Sequence, residues 1–256
     1  MKSVYYNQNN YASVPYPSSS LTSATVKSGG CGVCCGAMIV SSMADTIVDP
    51  KAMAAYSIAK GARVSGGTDM TTLAKAICAD YALAYETTSD ESKLLQHLSS
   101  GGMAVCNVGG DRSGYVGVFS DGGHFIVAAG VNGNTITIMD PGYYTGKFNK
   151  TGRSGKVTVS GNYYYCDISV LATDTSNRNP AYTLFSKRKE AAKDMKIGME
   201  IPEVKVTLNG KAMAKTVILN IDGKDTTYIP AVSLRDAGLS VDWDAANSTV
   251  IIKGGK

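Results

Sequence analysis

The chain is poor in histidine, tryptophan and charge. Two histidines, His97 and His124, and one tryptophan, Trp243, occur in 256 residues, and 18% of the residues are charged. With so few histidines, each is informative. The formal charge of +4 would ease approach to an anionic surface. It comes without the clustered Lys and Arg, interleaved with aromatics, of a nucleic-acid surface, so no nucleic-acid partner is expected. No apolar run reaches the roughly 20 residues of a membrane span. The opening "MKSVYYNQNNYASVPYP" holds no hydrophobic segment. No signal peptide is expected, which leaves a protein that stays in the cytoplasm, one that leaves by a signal-independent route, or a trimmed sequence.

A disulfide framework is missing too. Cys31, Cys34, Cys35, Cys78, Cys106 and Cys166 show no regular spacing, and a chain of this length has core enough to fold without bridges, so free thiols are expected. Cys31-x-x-Cys34 offers half of a zinc site, but no second Cys-x-x-Cys and no histidine pair completes it. A thioredoxin-like pair would need a strand just before the motif, and "SSSLTSATVKSGG" is polar loop. No cofactor and no metal are expected.

What is present is a change of period along the chain. Residues 31–43 are small, apolar and helix-compatible. Residues 49–61 read as a helix with Asp as cap, Pro in the first turn and Gly at the end. Residues 68–83 and 89–102 read as two more. Short β-branched or aromatic runs follow: "MAVCNVG", "HFIVAAGV", "TITIMDP" and "YYYCDISV", with "VNGNT" as a hairpin turn between two of them. Helices first and strands second predict an α+β domain with helices packed on an antiparallel sheet, over 1–180. Residues 181–202, with "SKRKEAAKDMK", read as a charged, helix-forming linker. Residues 203–256 alternate short strands with one brief helix at "AVSLRDAG" and read as a small α/β domain.

The chemistry is sparse enough to enumerate. His97 sits near the end of an amphipathic helix, where the helix dipole or plain surface exposure accounts for it. His124, in "SDGGHFIVAAG", opens a strongly apolar strand after two glycines, which permit close approach by another backbone or a ligand. Such a histidine is either structural or a catalytic base. Cys31 stands at a predicted helix start, where the dipole favours a thiolate and a neighbouring imidazolium would favour it further. Cys34 and Cys35 lie one turn deeper on an apolar helix, where a thiol packs as a small hydrophobe. Asp140, in "TITIMDPG", ends the strand expected to pair with that of His124. It is either a turn former or the group that orients the imidazole. An oxyanion would need donors, for which the Cys31 N–H and the side-chain amide of Gln8, in "YYNQNN", are candidates.

These motifs in their order, "VYYNQ", "GGCG" with its helix, "GGHFIVAAG" and "ITIMDPG", resemble the papain-like bacteriocin-processing (double-glycine) cysteine peptidases, and especially the members that stand alone without a transporter. The likeness covers about residues 4–141. It implies a papain-like fold with Cys31 as nucleophile, His124 as general base and acid, Asp140 as orienting residue and Gln8 as oxyanion-hole amide. The family usually has Pro-Thr or a similar pair after Cys-Gly, where this chain has Val33-Cys34. The tail "VTLNGK…YIPAVSLRDAGLSVDWDAANSTVIIKG" resembles the repeat named for the N-terminal domain of copper amine oxidases, which is appended to wall-associated enzymes of Gram-positive bacteria and their phages. Together the resemblances imply a phage or prophage endolysin. Such an enzyme waits in the host cytoplasm until release, then cleaves peptide or amide bonds of peptidoglycan while 203–256 bind the Gram-positive cell wall. The alternatives are a peptidase that cuts proteins or leader peptides, and a non-enzymatic wall-binding protein with a peptidase-like fold.

Overall fold

The computed structural model describes residues 3–44 and 46–188 and, beyond them, the backbone of six short strands between 206 and 253. Two compact units are present, Met1–Lys189 and Glu190–Lys256.

The first unit begins with α1 (Val26–Gly29), α2 (Cys31–Met43) and α3 (Pro50–Ala59). A small ribbon of β1 (Arg63–Val64) and β2 (Gly67–Thr68) precedes α4 (Met70–Asp80), β3 (Leu83–Thr88) and α5 (Glu91–Ser99). Then come β4 (Met103–Val108), β5 (His124–Asn132), β6 (Thr135–Met139), β7 (Thr158–Ser160), β8 (Tyr163–Asp167), α6 (Ile168–Thr175) and β9 (Tyr182–Lys187). Seven strands form one antiparallel sheet in the order β3-β9-β4-β5-β6-β8-β7. The fold is α+β, with helices packed on this sheet.

The sheet is apolar on both sides. Its alternation sends Met103, Val105, Val127, Met139 and Phe185 into a core shared with α2, α3 and α4. Ala104, Cys106, Ile126, Ile138 and Leu184 go into a second core under α5 and α6. Side chains of this size each contribute about 1.5–3 kcal/mol when fully buried. The helices start where aspartate can accept their first N–H groups. Asp49 bonds Ala52 N at 2.8 Å, Asp69 bonds Thr71 N at 3.0 Å, Asp90 bonds Ser92 N at 2.8 Å and Asp167 bonds Ser169 N at 2.9 Å. The helix α2 has no such cap, because Gly30 holds the position.

Three boundaries differ from the sequence expectation. Residues 181–202 do not start as a linker: Tyr182–Lys187 form β9, inserted between β3 and β4. The reason is that this stretch is apolar on both faces, with Tyr182 and Leu184 in one core and Phe185 in the other. The first unit therefore runs past 180, and Arg188 donates from its backbone to Ala82 O at 2.9 Å. Residues 189–202 of the expected linker lie outside the described residues. The helix expected over 68–83 is α4 alone, since Thr68 pairs in β2 and Leu83 begins β3. The run "YYYCDISV" is strand only to Asp167, whose side chain caps α6.

In the second unit the described strands pair as three antiparallel hairpins: Val206–Leu208 with Lys211–Met213, Val217–Ile221 with Lys224–Tyr228, and Ser240–Asp244, which carries Trp243, with Thr249–Lys253. The helix expected over 231–238 lies outside the described residues. No helix among the described residues is long and apolar enough to cross a membrane.

Candidate active site

Every residue of α2 after Cys31 is buried, while Cys31 itself is only partly so. The helix is thus anchored along its length and offers one thiol at its uncapped, electropositive end. Its approach to the ribbon explains the glycine after the cysteine. A Cβ at Gly32 would stand 2.6 Å from Thr68 Cβ, so only glycine lets the start of α2 pack on β2.

His124 opens β5 opposite Val108 of β4 and is nine-tenths buried. The hairpin of β5 and β6 sets Met139 opposite Val127, which brings Asp140 level with the first residues of β5. His124 Nε2 donates to Asp140 Oδ1 at 2.8 Å. That bond fixes the tautomer and leaves Nδ1 for the thiol. Asp140 is fully buried and accepts two further bonds, from Gly142 N to Oδ1 at 2.8 Å and from Lys147 Nζ to Oδ2 at 2.5 Å. The turn after Asp140 must be small, because a Cβ at Gly142 would stand 2.9 Å from the His124 ring.

The electrostatics of the three groups interlock. Burial raises the Cys31 pKa, but the hydrogen bond and charge of His124, with the backbone N–H groups of Phe125 and Gly32, outweigh it and pull the thiol below its ordinary value. Burial works against a charged His124, yet the charge and hydrogen bond of Asp140, and then Cys31, raise it to about 9. Burial opposes ionisation of Asp140, while Lys147 and His124 hold it down at about 2. These shifts favour a thiolate–imidazolium pair beside a buried carboxylate. A rate that depends on this pair is expected to be bell-shaped in pH. It rises as the thiol ionises, below its ordinary value, and falls near 9 as His124 loses its proton. A pH series of kcat/KM checks this; a single rise at about 8.5 with no fall would mean an unpaired thiol.

Gln8 reaches the same place by way of the N-terminal segment. Tyr5 Oη donates to Asp140 O at 2.8 Å, Gln8 N donates to Pro141 O at 2.8 Å, and Asn7 Nδ2 donates to Tyr143 O at 2.8 Å. The run "VYYNQ" is therefore docked along the turn that carries Asp140. Gln8 Nε2 donates to Lys27 O at 2.8 Å, in the helix just before Cys31, and its Oε1 is buried without a partner. That bond uses one of the two amide N–H groups. Gln8 and His124 line one cleft of about 170 Å³. Cys31 and His124 line another of about 270 Å³, walled by Gly66 and Gly67 of the ribbon.

The other three residues singled out in the sequence, Cys31, Asp140 and Gln8, thus stand around His124. Two participants were not legible there. Lys147 is buried and bonded to Asp140, yet it lies in the polar run "YYTGKFNK", which carries no sign of burial. Arg178 lines the Cys31 cleft from the turn after α6. Cys34 and Cys35 are fully buried, and burial pushes both thiols up, as suits packing rather than chemistry. His97 is structural: its Nε2 lies 2.8 Å from Phe185 O, tying α5 to β9. Among the described residues, no group of three His, Cys, Asp or Glu side chains stands close enough to hold a metal ion.

No family model matches the chain, and no curated protein matches it.

Proposed function

We propose that the chain is a papain-like cysteine peptidase or amidase that hydrolyses peptide or amide bonds of bacterial peptidoglycan, of the phage or prophage endolysin type. The observation that carries the hydrolase reading is the Cys31–His124–Asp140 line: a partly buried thiol at an uncapped helix start, lowered by an imidazole that a buried carboxylate holds in one tautomer.

In this reading the Cys31 thiolate attacks the scissile carbonyl carbon and the carbonyl oxygen takes the negative charge. The Cys31 N–H and the second Gln8 amide N–H receive that oxyanion. As the tetrahedral intermediate collapses, the C–N bond breaks and His124 gives its proton to the leaving amine. An acyl-thioester remains. His124, now neutral, takes a proton from water, the hydroxide adds to the thioester carbonyl, and the carboxylic product leaves as the thiolate reforms. Asp140 stays ionised throughout, and its task is to orient the ring.

The wall as substrate is supported by the resemblance of the tail to a wall-associated repeat and by the mild positive charge, which suits an anionic polymer. Purified Gram-positive walls incubated with the protein are expected to lose turbidity and to release fragments with new amine ends, identified by mass spectrometry, with EDTA having no effect. Release of no fragment from any wall would remove the endolysin reading. Binding of the full chain, but not of a chain truncated after 188, would assign wall attachment to the second unit.

A further inference from the structure

The Cys31 cleft contains a cation with nothing to answer it. Arg178 follows α6 and lies beside Gly123, the residue before His124; a Cβ at Gly123 would stand 2.9 Å from Arg178 Nη2. The glycine before the histidine is thus the space in which this guanidinium sits. Its side-chain bonding is thin. Nη2 donates to Gly109 O at 3.4 Å, and Nε is buried with no acceptor. The other described arginines are held. Arg153 bonds Gly117 O and Asp121, Arg112 bonds Thr173 O and Ser176, Arg63 bonds Tyr16 O and Gly67 O, and Arg188 bonds Cys78 O. Among the described residues no carboxylate stands within ion-pair distance of Arg178, and none lines the cleft it shares with Cys31.

A guanidinium carries five donors in a planar fork that matches a carboxylate, and its charge is permanent. A guanidinium on the wall of the cleft that holds Cys31, with one long hydrogen bond and no carboxylate beside it, is arranged to receive an anion from outside the chain. We propose that Arg178 determines specificity by binding a free carboxylate of the peptide substrate close to the scissile bond. The inference rests on the peptidase reading and sharpens it. The substrate class becomes acidic peptides, such as stem peptides with a free carboxylate on their γ-linked glutamate or at their C-terminus, rather than the amidated forms.

Binding and cleavage separate the two ideas. Synthetic L-Ala-γ-D-Glu-L-Lys-D-Ala peptides are made in pairs, one pair differing only by carboxylate or carboxamide on the glutamate, the other only at the C-terminus. Their Kd values are measured by calorimetry on the full-length Cys31→Ala protein, which cannot turn them over. In one pair the carboxylate form is expected to bind about 10- to 100-fold more tightly than the amide. Arg178→Gln in the same background is expected to abolish that preference while leaving amide binding unchanged. Arg178→Lys is expected to keep part of it, and circular dichroism checks that both variants fold. Equal binding within both pairs, or a preference that survives Arg178→Gln, overturns the proposal. Incubating the same peptides with the unmodified protein tests the hydrolase separately. A carboxylate preference in binding with no cleavage by the wild type would sink the peptidase reading and leave the anion site standing.

Discussion

Replacing Cys31 by alanine is expected to lower kcat/KM on any cleaved substrate by about 10⁴-fold or more, to the level left by binding and oxyanion stabilisation alone. In the proposed mechanism the thiol forms the covalent bond, and no other thiol lines the cleft. Cys34→Ala and Cys35→Ala are expected to keep activity within a few-fold and to cost stability by about 1 kcal/mol, since both are packing groups. Alkylation gives an independent check. Iodoacetamide at neutral pH is expected to modify Cys31 first and alone in the folded protein, because the other five cysteines are more deeply buried and its pKa is the one that is lowered. A Cys31→Ala protein that retains activity within tenfold of the wild type would falsify the nucleophile assignment.

The second large effect concerns stability as much as catalysis. Asp140→Ala removes the acceptor of both His124 and Lys147 and leaves the Lys147 ammonium buried without its counter-ion. Breaking a buried pair in this way costs about 3–5 kcal/mol, because the remaining charge has lost its compensation. For a unit of this size that lowers Tm by roughly 10 °C. The double variant Asp140→Ala/Lys147→Met is expected to recover most of the lost Tm, since a methionine fits where the lysine stem packs and brings no charge. It is not expected to recover activity. Without the carboxylate the imidazole loses its fixed tautomer, and the rate falls within the roughly 10²- to 10⁴-fold that general acid–base catalysis supplies. Thermal melts and kcat measured on the same preparations separate the two roles. If the double variant melts as low as the single one, Lys147 is not the source of the instability.

Much of the site was legible in the sequence because its members sit at element ends marked by glycine. The glycines around Cys31, the pair before His124 and the Asp-Pro-Gly turn each signal a close approach, and close approaches at element ends are where these side chains meet. The Asp-Pro cap at Asp49 made the start of α3 legible, and the two-residue turn at Gly133 made the β5–β6 pairing legible, which in turn placed Asp140 near His124. Local rules failed where a distant partner decided the outcome. The strand β9 looked like the start of a charged linker because its last residues are basic. Its apolar residues are satisfied only by β3 and β4, about 80 to 100 positions earlier, and no short-range pattern reports that. Lys147 and Arg178 were missed for the same reason, since a lysine or arginine in a polar run is by default a solvated one.

The sequence by itself determined which residue types could react and where several of the helices and strands would lie. Capping, turn chemistry and apolar period act within a few residues and are written in the order of the chain. Only the tertiary structure decided that Asp140 is held by a buried lysine, that Gln8 is bonded into the helix before the nucleophile, and that an unpaired arginine lines the cleft that holds Cys31. Charge balance in a buried site depends on three-dimensional distance, and that distance is set by how the sheet folds back on itself.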